Sequence, residues 1–293
     1  MTTQSVSAAD WIAGARFRTL PLALAPVVLG GASAQWAGSF DAVLFLLCVV
    51  VALALQVGVN YANDYSDGIR GTDAKRVGPA RLTGSGRVEP AKVKRAAFLS
   101  FAVAVLAGLV LVVVSQLWIF LAIGALALVA AWFYTGGRAP YGYQGFGEIV
   151  VFVFFGVVAT VGTAWVMVGF IPAETWFTGS AAGFFASAVL LVNNIRDREQ
   201  DAQVGKKTLA VRLGDRPSRI LLAVLLLLPY AILGVLSLVF LWAPVVFVTG
   251  IVTVVIIVIV MTARTPKELI TALGLMSLNA VIYALGLGAA IAF

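Results

Sequence analysis

The sequence contains no histidine and a single cysteine, Cys48, and only 11% of its 293 residues are charged. Each shortage closes off some chemistry. Without histidine there is no imidazole base, no His-ligated haem or zinc and no His-based triad. One cysteine forms neither an intrachain disulfide nor a redox thiol pair. A soluble domain carries about a quarter charged residues. This chain is 61% hydrophobic with a mean hydropathy of +1.03, so it lacks the polar surface to cover itself in water, and disorder is excluded with solubility. A polytopic membrane protein remains, and its chemistry falls to carboxylates, amides, hydroxyls and basic groups.

Long apolar runs, by contrast, are plentiful. A spanning helix needs about 20 mostly apolar residues, and such runs lie near 19–37, 41–61, 96–114, 117–136, 147–170, 175–195, 220–241, 243–262 and 271–291. The expected fold is therefore all-α: nine transmembrane helices around a central cavity, in one integral-membrane domain over 1–293. The runs are continuously apolar, unlike the alternating strands of a membrane barrel. On this count all 20 Lys and Arg residues fall in alternate loops on one side, which the positive-inside rule assigns to the cytoplasm together with the N-terminus. The net charge of +7 is thus a matter of membrane orientation and gives no reason to expect a nucleic-acid partner. Trp36, Trp118, Trp176 and Trp242 mark the outer interface. Residues 1–18 form a cytoplasmic segment, and the first apolar run lacks a convincing cleavage site, so it is expected to be retained. With short outer loops, function is expected in the long inner loops 62–95 and 196–219, in a cell-membrane protein whose site faces the cytoplasm.

Both inner loops open on acidic motifs. The second run ends in Asn60-Tyr61-Ala62-Asn63-Asp64-Tyr65-Ser66-Asp67, and the sixth in Asn193-Asn194-Ile195-Arg196-Asp197-Arg198-Glu199-Gln200-Asp201. Each has Asn-x-x-x-Asp with a further Asp within one more turn. On a helix this puts Asn60, Asp64 and Asp67 on one stripe and Asn193, Asp197 and Asp201 on another. The repetition suggests an internal duplication of four-helix units. Carboxylates at a membrane helix end are costly unless paired, metal-bound or watered. Facing one another they repel, and hard Mg²⁺, which keeps waters and substrate phosphate in its shell, answers that repulsion. Two acidic stripes with a basic rim describe a site for a metal-chelated diphosphate, with Lys or Arg on the remaining phosphate oxygens. In a membrane cavity such a diphosphate is the leaving group of an allylic polyprenyl donor.

These residues resemble the UbiA-type intramembrane prenyltransferases, and within that superfamily the bacterial branch that prenylates 1,4-dihydroxy-2-naphthoate in menaquinone synthesis. The narrower likeness lies in Ala15-Arg16-Phe17-Arg18-Thr19-Leu20-Pro21, in Asn63-Asp64-Tyr65-Ser66-Asp67 with Gly71-Thr72-Asp73, in Gly78-Pro79-Ala80-Arg81-Leu82-Thr83, in Tyr134-Thr135-Gly136-Gly137-Arg138 continuing through Tyr141 to Glu148, and in Gly205-Lys206-Lys207-Thr208. The resemblance implies metal and diphosphate roles for Asn60, Asp64, Asp67, Asp197 and Asp201, with Asn193 at the substrate. It puts a Tyr-x-x-x-Lys/Arg element on Tyr134 and Arg138 near the breaking C–O bond. Arg138 stands where many relatives carry Lys. Lys206, Arg81 and Lys75 become diphosphate contacts, Tyr141 a substrate contact and Arg16 a partner for the acceptor's carboxylate.

The implied reaction is Mg²⁺-dependent transfer of a polyprenyl group from its diphosphate to 1,4-dihydroxy-2-naphthoate, releasing diphosphate and CO₂ to give a demethylmenaquinone. Plainer readings stand beside these. Asp73 caps a turn or binds metal, Arg16 and Arg18 orient the first span, Glu148 is a charge at a helix N-terminus, and Arg212, Arg216 and Arg219 meet anionic lipid. Another acceptor (4-hydroxybenzoate, homogentisate or a tetrapyrrole) or a transporter for a charged solute is the alternative function.

Overall fold

A computed structural model describes residues 7–16, 19–72 and 81–293, and these form helices and their connections, with no strand among them. A short helix α1 (Ala8–Gly14) is closed by a Ser7/Asp10 capping box. It is followed by α2 (Leu20–Trp36), α3 (Ala42–Ile69), α4 (Pro90–Ser115) and α5 (Ile119–Phe133). Then come α6 (Gly147–Val168), α7 (Glu174–Gln203), the short α8 (Leu209–Leu213), α9 (Asp215–Leu236), α10 (Ala243–Thr262) and α11 (Pro266–Ala292). Seven of these, α3, α4, α6, α7, α9, α10 and α11, are long and apolar enough to cross a membrane. Of the nine expected runs, the first and fourth form the shorter apolar helices α2 and α5, of 17 and 15 residues.

Local signals set the helix ends. Asp41 caps α3 by accepting from the Val43 and Leu44 amides at 2.8 and 2.9 Å, satisfying two of the donors a helix start leaves open. Proline opens α4 and α11 at positions that need no amide donor. The expected loop boundaries are corrected here. Helix α3 continues eight residues past the end of its apolar run, and α7 likewise through Gln203. The acidic motifs therefore lie on helical turns, and little of 196–219 is loop. Backbone pairing explains the extension: a polar helical turn keeps its hydrogen bonds internal where an open loop at membrane depth would not.

Helix α7 is central, with 72% of its apolar stretch buried against 17% for α3. It packs on α6, α9 and α11, while α3 pairs chiefly with α4. Small residues set the closest approaches, as expected where lipid supplies no hydrophobic drive between helices. A Cβ on Gly156 of α6 would stand 2.3 Å from the Gly183 Cα of α7, and one on Gly30 of α2 2.5 Å from the Thr160 carbonyl of α6. Helix α6 also contains a π-helical turn at Val153–Val158, a local widening that periodicity does not foretell. Phe154, Phe155 and Val158 from this turn line an internal cavity between α2–α7. Replacing Gly156 with Val forces α6 and α7 apart. The expected cost is roughly 3 kcal/mol, read as a lower thermal midpoint of the detergent-purified protein; an unchanged midpoint would show that the contact is slack.

Candidate active site

The cavity holds about 560 Å³ and has two chemically distinct parts. One limb is apolar, walled by residues such as Val27, Val51, Leu55, Val112, Phe120 and Phe155. The other end is polar. From α3 it receives Asn60, Asn63 and Asp67, from α7 Asn193, Asn194, Asp197, Gln200 and Asp201, and from the connections Arg16, Thr72, Arg81, Tyr134, Tyr141, Tyr143 and Lys206. The two acidic motifs thus meet at one end of the bundle.

Lys206 joins them directly. Its Nζ donates to Asp67 Oδ2 at 3.3 Å and lies 3.8 Å from Asp201 Oδ1, with all three side chains about nine-tenths buried. The Tyr143 hydroxyl donates to the other oxygen of Asp67 at 2.6 Å, and the Lys206 ammonium sits 4.6 Å above the Tyr143 ring. Burial, reinforced by the Asp67 carboxylate, raises the Tyr143 pKa, which keeps that hydroxyl protonated as a donor. Asp197 is gripped by Arg196, whose Nε and Nη2 each reach one carboxylate oxygen at 2.7 Å, the forked arrangement only Arg provides. Gln200 donates to the Thr72 carbonyl at 3.0 Å, a second tie between α7 and the end of α3.

The amides are oriented too. Asn60 spends its NH₂ on the Ala15 carbonyl at 2.8 Å, and Asn193 spends its own on Val189, one turn back, at 2.9 Å. Both therefore retain carbonyl oxygens for a ligand. Asn63 is reversed: its oxygen accepts from the Thr135 hydroxyl at 2.8 Å, which leaves NH₂ donors. Tyr141 is anchored through its hydroxyl to the Ala130 carbonyl at 2.9 Å, and its ring meets that of Tyr134 edge-on.

Two expected residues lie elsewhere. Asp64 is fully buried and does not line the cavity. Its oxygens accept from the Leu82 and Thr83 amides at 2.7 and 2.8 Å, so it fixes the turn that carries Arg81. The cavity-facing stripe of α3 runs Asn60, Asn63, Asp67, because at 3.6 residues per turn positions i+3 and i+4 straddle the line and the returning turn covers the second. Arg138 is exposed and off the cavity wall. Helix α5 ends at Phe133, and Gly137 has a positive φ of 75°, so Tyr134 and Arg138 are not stacked one turn apart. Arg70, which carried no expected role, instead holds this segment through the Thr135 and Gly137 carbonyls. Arg18, Asp73 and Lys75 lie outside the described residues.

Tyr143, Asn63, Asn194, Gln200 and Arg196 were not singled out from sequence. Asn63 and Tyr143 stand inside segments that carried the resemblance, and Asn194 and Gln200 fall about one helical turn before and after Asp197, so helical spacing was the available signal for those two. Arg196 had none, since neighbours on a helix rarely pair.

The fold and the site together define a multi-pass membrane protein with an internal amphipathic cavity. The chain belongs to the UbiA prenyltransferase family, whose model matches residues 23–281. It is 46% identical over 291 residues to the 1,4-dihydroxy-2-naphthoate octaprenyltransferase of Mycobacterium tuberculosis, covering 98% of each chain. The Escherichia coli protein of that name is 39% identical over 226 residues, 75% of this chain and 73% of the other. The fold is shared with a UbiA homolog from Aeropyrum pernix K1, with a TM-score of 0.70 at 15% identity over 90% of this chain and 96% of that one. A homolog from Archaeoglobus fulgidus, solved bound to DMAPP and Mg²⁺, matches with a TM-score of 0.60 at 16% identity over 94% and 98%.

Replacing Asp64 with Asn trades one acceptor for a donor and strips one loop amide of its partner, at a cost of about 1–3 kcal/mol. Hydrogen exchange at Leu82 and Thr83 should quicken by about tenfold or more. Unchanged exchange with weakened metal binding would instead return Asp64 to the role of ligand.

Proposed function

We propose that this protein transfers a polyprenyl group from its diphosphate to 1,4-dihydroxy-2-naphthoate, with loss of diphosphate and CO₂, to form a demethylmenaquinol, the hydroquinone from which a demethylmenaquinone arises by separate oxidation. The observation that carries this reading is the shared bridge from Lys206 to Asp67 and Asp201 at the mouth of an apolar limb. The relatives named as 1,4-dihydroxy-2-naphthoate octaprenyltransferases support the choice of acceptor.

The donor's tail lies in the apolar limb and its diphosphate at the polar end. The donor set there is all oxygen: Asp67, Asp197 and Asp201, with the amide carbonyl of Asn60. That set suits Mg²⁺. Among the described residues no three carboxylates are grouped to hold an ion unaided, and an ion that keeps phosphate and water oxygens in its shell needs only one or two. Bound magnesium would neutralise the diphosphate and stabilise charge growing on the departing oxygen. Lys206 and Arg81 supply positive charge to the phosphate oxygens from the protein side. Tyr134 and Tyr141 wall the space beside the diphosphate and present aromatic faces to the allylic cation, and the dry limb withholds water from it. Arg16 pairs with the acceptor's carboxylate. The ring attacks through the carbon bearing that group, and decarboxylation restores aromaticity.

In this reading α2 and α5 also cross, giving nine spans with the N-terminus and the active site on the cytoplasmic side of the cell membrane. Segregation of the basic residues supports that topology.

Purified protein given 1,4-dihydroxy-2-naphthoate, a defined polyprenyl diphosphate and Mg²⁺ should yield the prenylated, decarboxylated product by mass spectrometry. Chelation should stop the reaction. Asp67→Asn and Asp197→Asn should each lower turnover by about 10² or more, the scale of losing a transition-state charge partner, while the protein still inserts. Full turnover by both variants in saturating Mg²⁺, or product only from another aromatic acid, would overturn the assignment.

A further inference from the structure

Glu148 opens α6 and is 94% buried by its neighbours, being 6% exposed. No cation lies within ion-pair distance of it among the described residues. One oxygen, Oε1, accepts from the Asn194 Nδ2 at 2.8 Å. The other, Oε2, is buried with no hydrogen-bond partner among the described residues. Its backbone carbonyl accepts from the Ser187 hydroxyl at 2.8 Å, which fixes the start of α6 against α7. Burying a carboxyl with half its acceptors idle is unfavourable, and simple packing would be met better by an apolar side chain.

The consequence falls on Asn194, which lines the cavity. Because the Asn194 NH₂ donates to the Glu148 carboxyl oxygen, its carbonyl oxygen turns away from Glu148. Asn193 beside it has its own NH₂ tied to the Val189 carbonyl at 2.9 Å. This stretch of wall therefore offers oxygen acceptors, and its natural ligand is a hydroxyl donor. It lies on the apolar side of the acidic residues. At 1.5 Å per residue, Asn193 and Asn194 lie about 5–6 Å along α7 from Asp197 and about 10–12 Å from Asp201, toward the apolar limb. That is the level at which polar wall gives way to Val189, Leu190 and Ala186. An aromatic ring, with an apolar body and hydroxyl edge, matches that boundary, and Tyr134 stands next to it, its ring 3.1 Å from where a Gly147 Cβ would be.

We propose that Glu148 is a positioning residue: by holding the Asn194 amide it aims the Asn194 carbonyl oxygen at a ring hydroxyl of the aromatic acceptor, and so helps select a hydroxylated ring. This rests on the aromatic prenyl-transfer reading above. The test is steady-state kinetics of the full-length protein in detergent with Mg²⁺ and a short prenyl diphosphate. The acceptors are 1,4-dihydroxy-2-naphthoate and its two monohydroxy analogues. The native protein should favour the diol over at least one analogue. Glu148→Ala and Asn194→Ala should each raise KM for the diol about tenfold, leave KM for the prenyl diphosphate unchanged and erase that preference. Glu148→Asp should retain part of it. Asn194→Ala leaves the start of α6 intact and decides the matter if Glu148→Ala does not fold. A preference that survives in both variants, its absence from the native protein, or a loss that falls on KM for the prenyl diphosphate would overturn the inference. Failure of the native protein to prenylate any naphthoate would instead sink the functional reading beneath it.

Discussion

Lys206 stands between two carboxylates that the chain separates widely: it is 139 residues from Asp67 and five from Asp201. Pairing of this kind is what allows acidic groups to sit at membrane depth, because an unpartnered carboxylate there is expensive and two facing ones repel. The bridge holds the ends of α3 and α7 together, and Tyr143 and the Gln200–Thr72 hydrogen bond add further ties at the same level. The polar end of the cavity is thus assembled around cation–carboxylate pairs. Arg196 on Asp197 is the second such pair. A ligand that supplies both cation and anion, such as the metal diphosphate proposed above, would replace these pairs without leaving charge stranded.

The remaining structure supplies the frame for this polar end. Glycine contacts draw α6 against α7 and α2, so the carboxylate-bearing α7 is held rigidly in the middle of the bundle. The π-helical turn of α6 directs Phe154 and Phe155 to the apolar limb. Asp64 and Arg70 act at one remove, the first fixing the turn that presents Arg81 and the second the segment that presents Tyr134 and Tyr143. Hydrogen bonds spent inside the protein determine which amide atoms the cavity offers, and the neutral polar wall acquires a direction in this way.

Much of this was written in the pattern of the chain. Apolar runs located the long helices because membrane-spanning segments must be nearly continuous, and the spacing of Asn60, Asp67, Asn193, Asp197 and Asp201 put them on cavity-facing stripes because helical period is fixed. Where the structure departs from that pattern, the cause is tertiary. Asp64 satisfies the same spacing as its neighbours, yet a turn distant in sequence covers it. Arg138 has the right separation from Tyr134, but the glycines between them end the helix. Glu148 reads as an ordinary charge at a helix start, and only packing against α7 shows that it is buried and aligned with Asn194. Periodicity reports which side of a helix a residue occupies; what arrives on that side depends on the rest of the fold.

The central claim is that Asp67 and Asp201 act on one ligand. The most direct measurement is a double-mutant cycle on Mg²⁺-dependent binding of a non-reactive prenyl thiodiphosphate, using Asp67→Asn, Asp201→Asn and the pair. If the two carboxylates grip the same metal diphosphate, each single change weakens binding strongly and the double variant binds little worse than either single one. Fully additive losses, or an Asp201→Asn variant that binds as tightly as the native protein, would mean that the two helices serve separate sites.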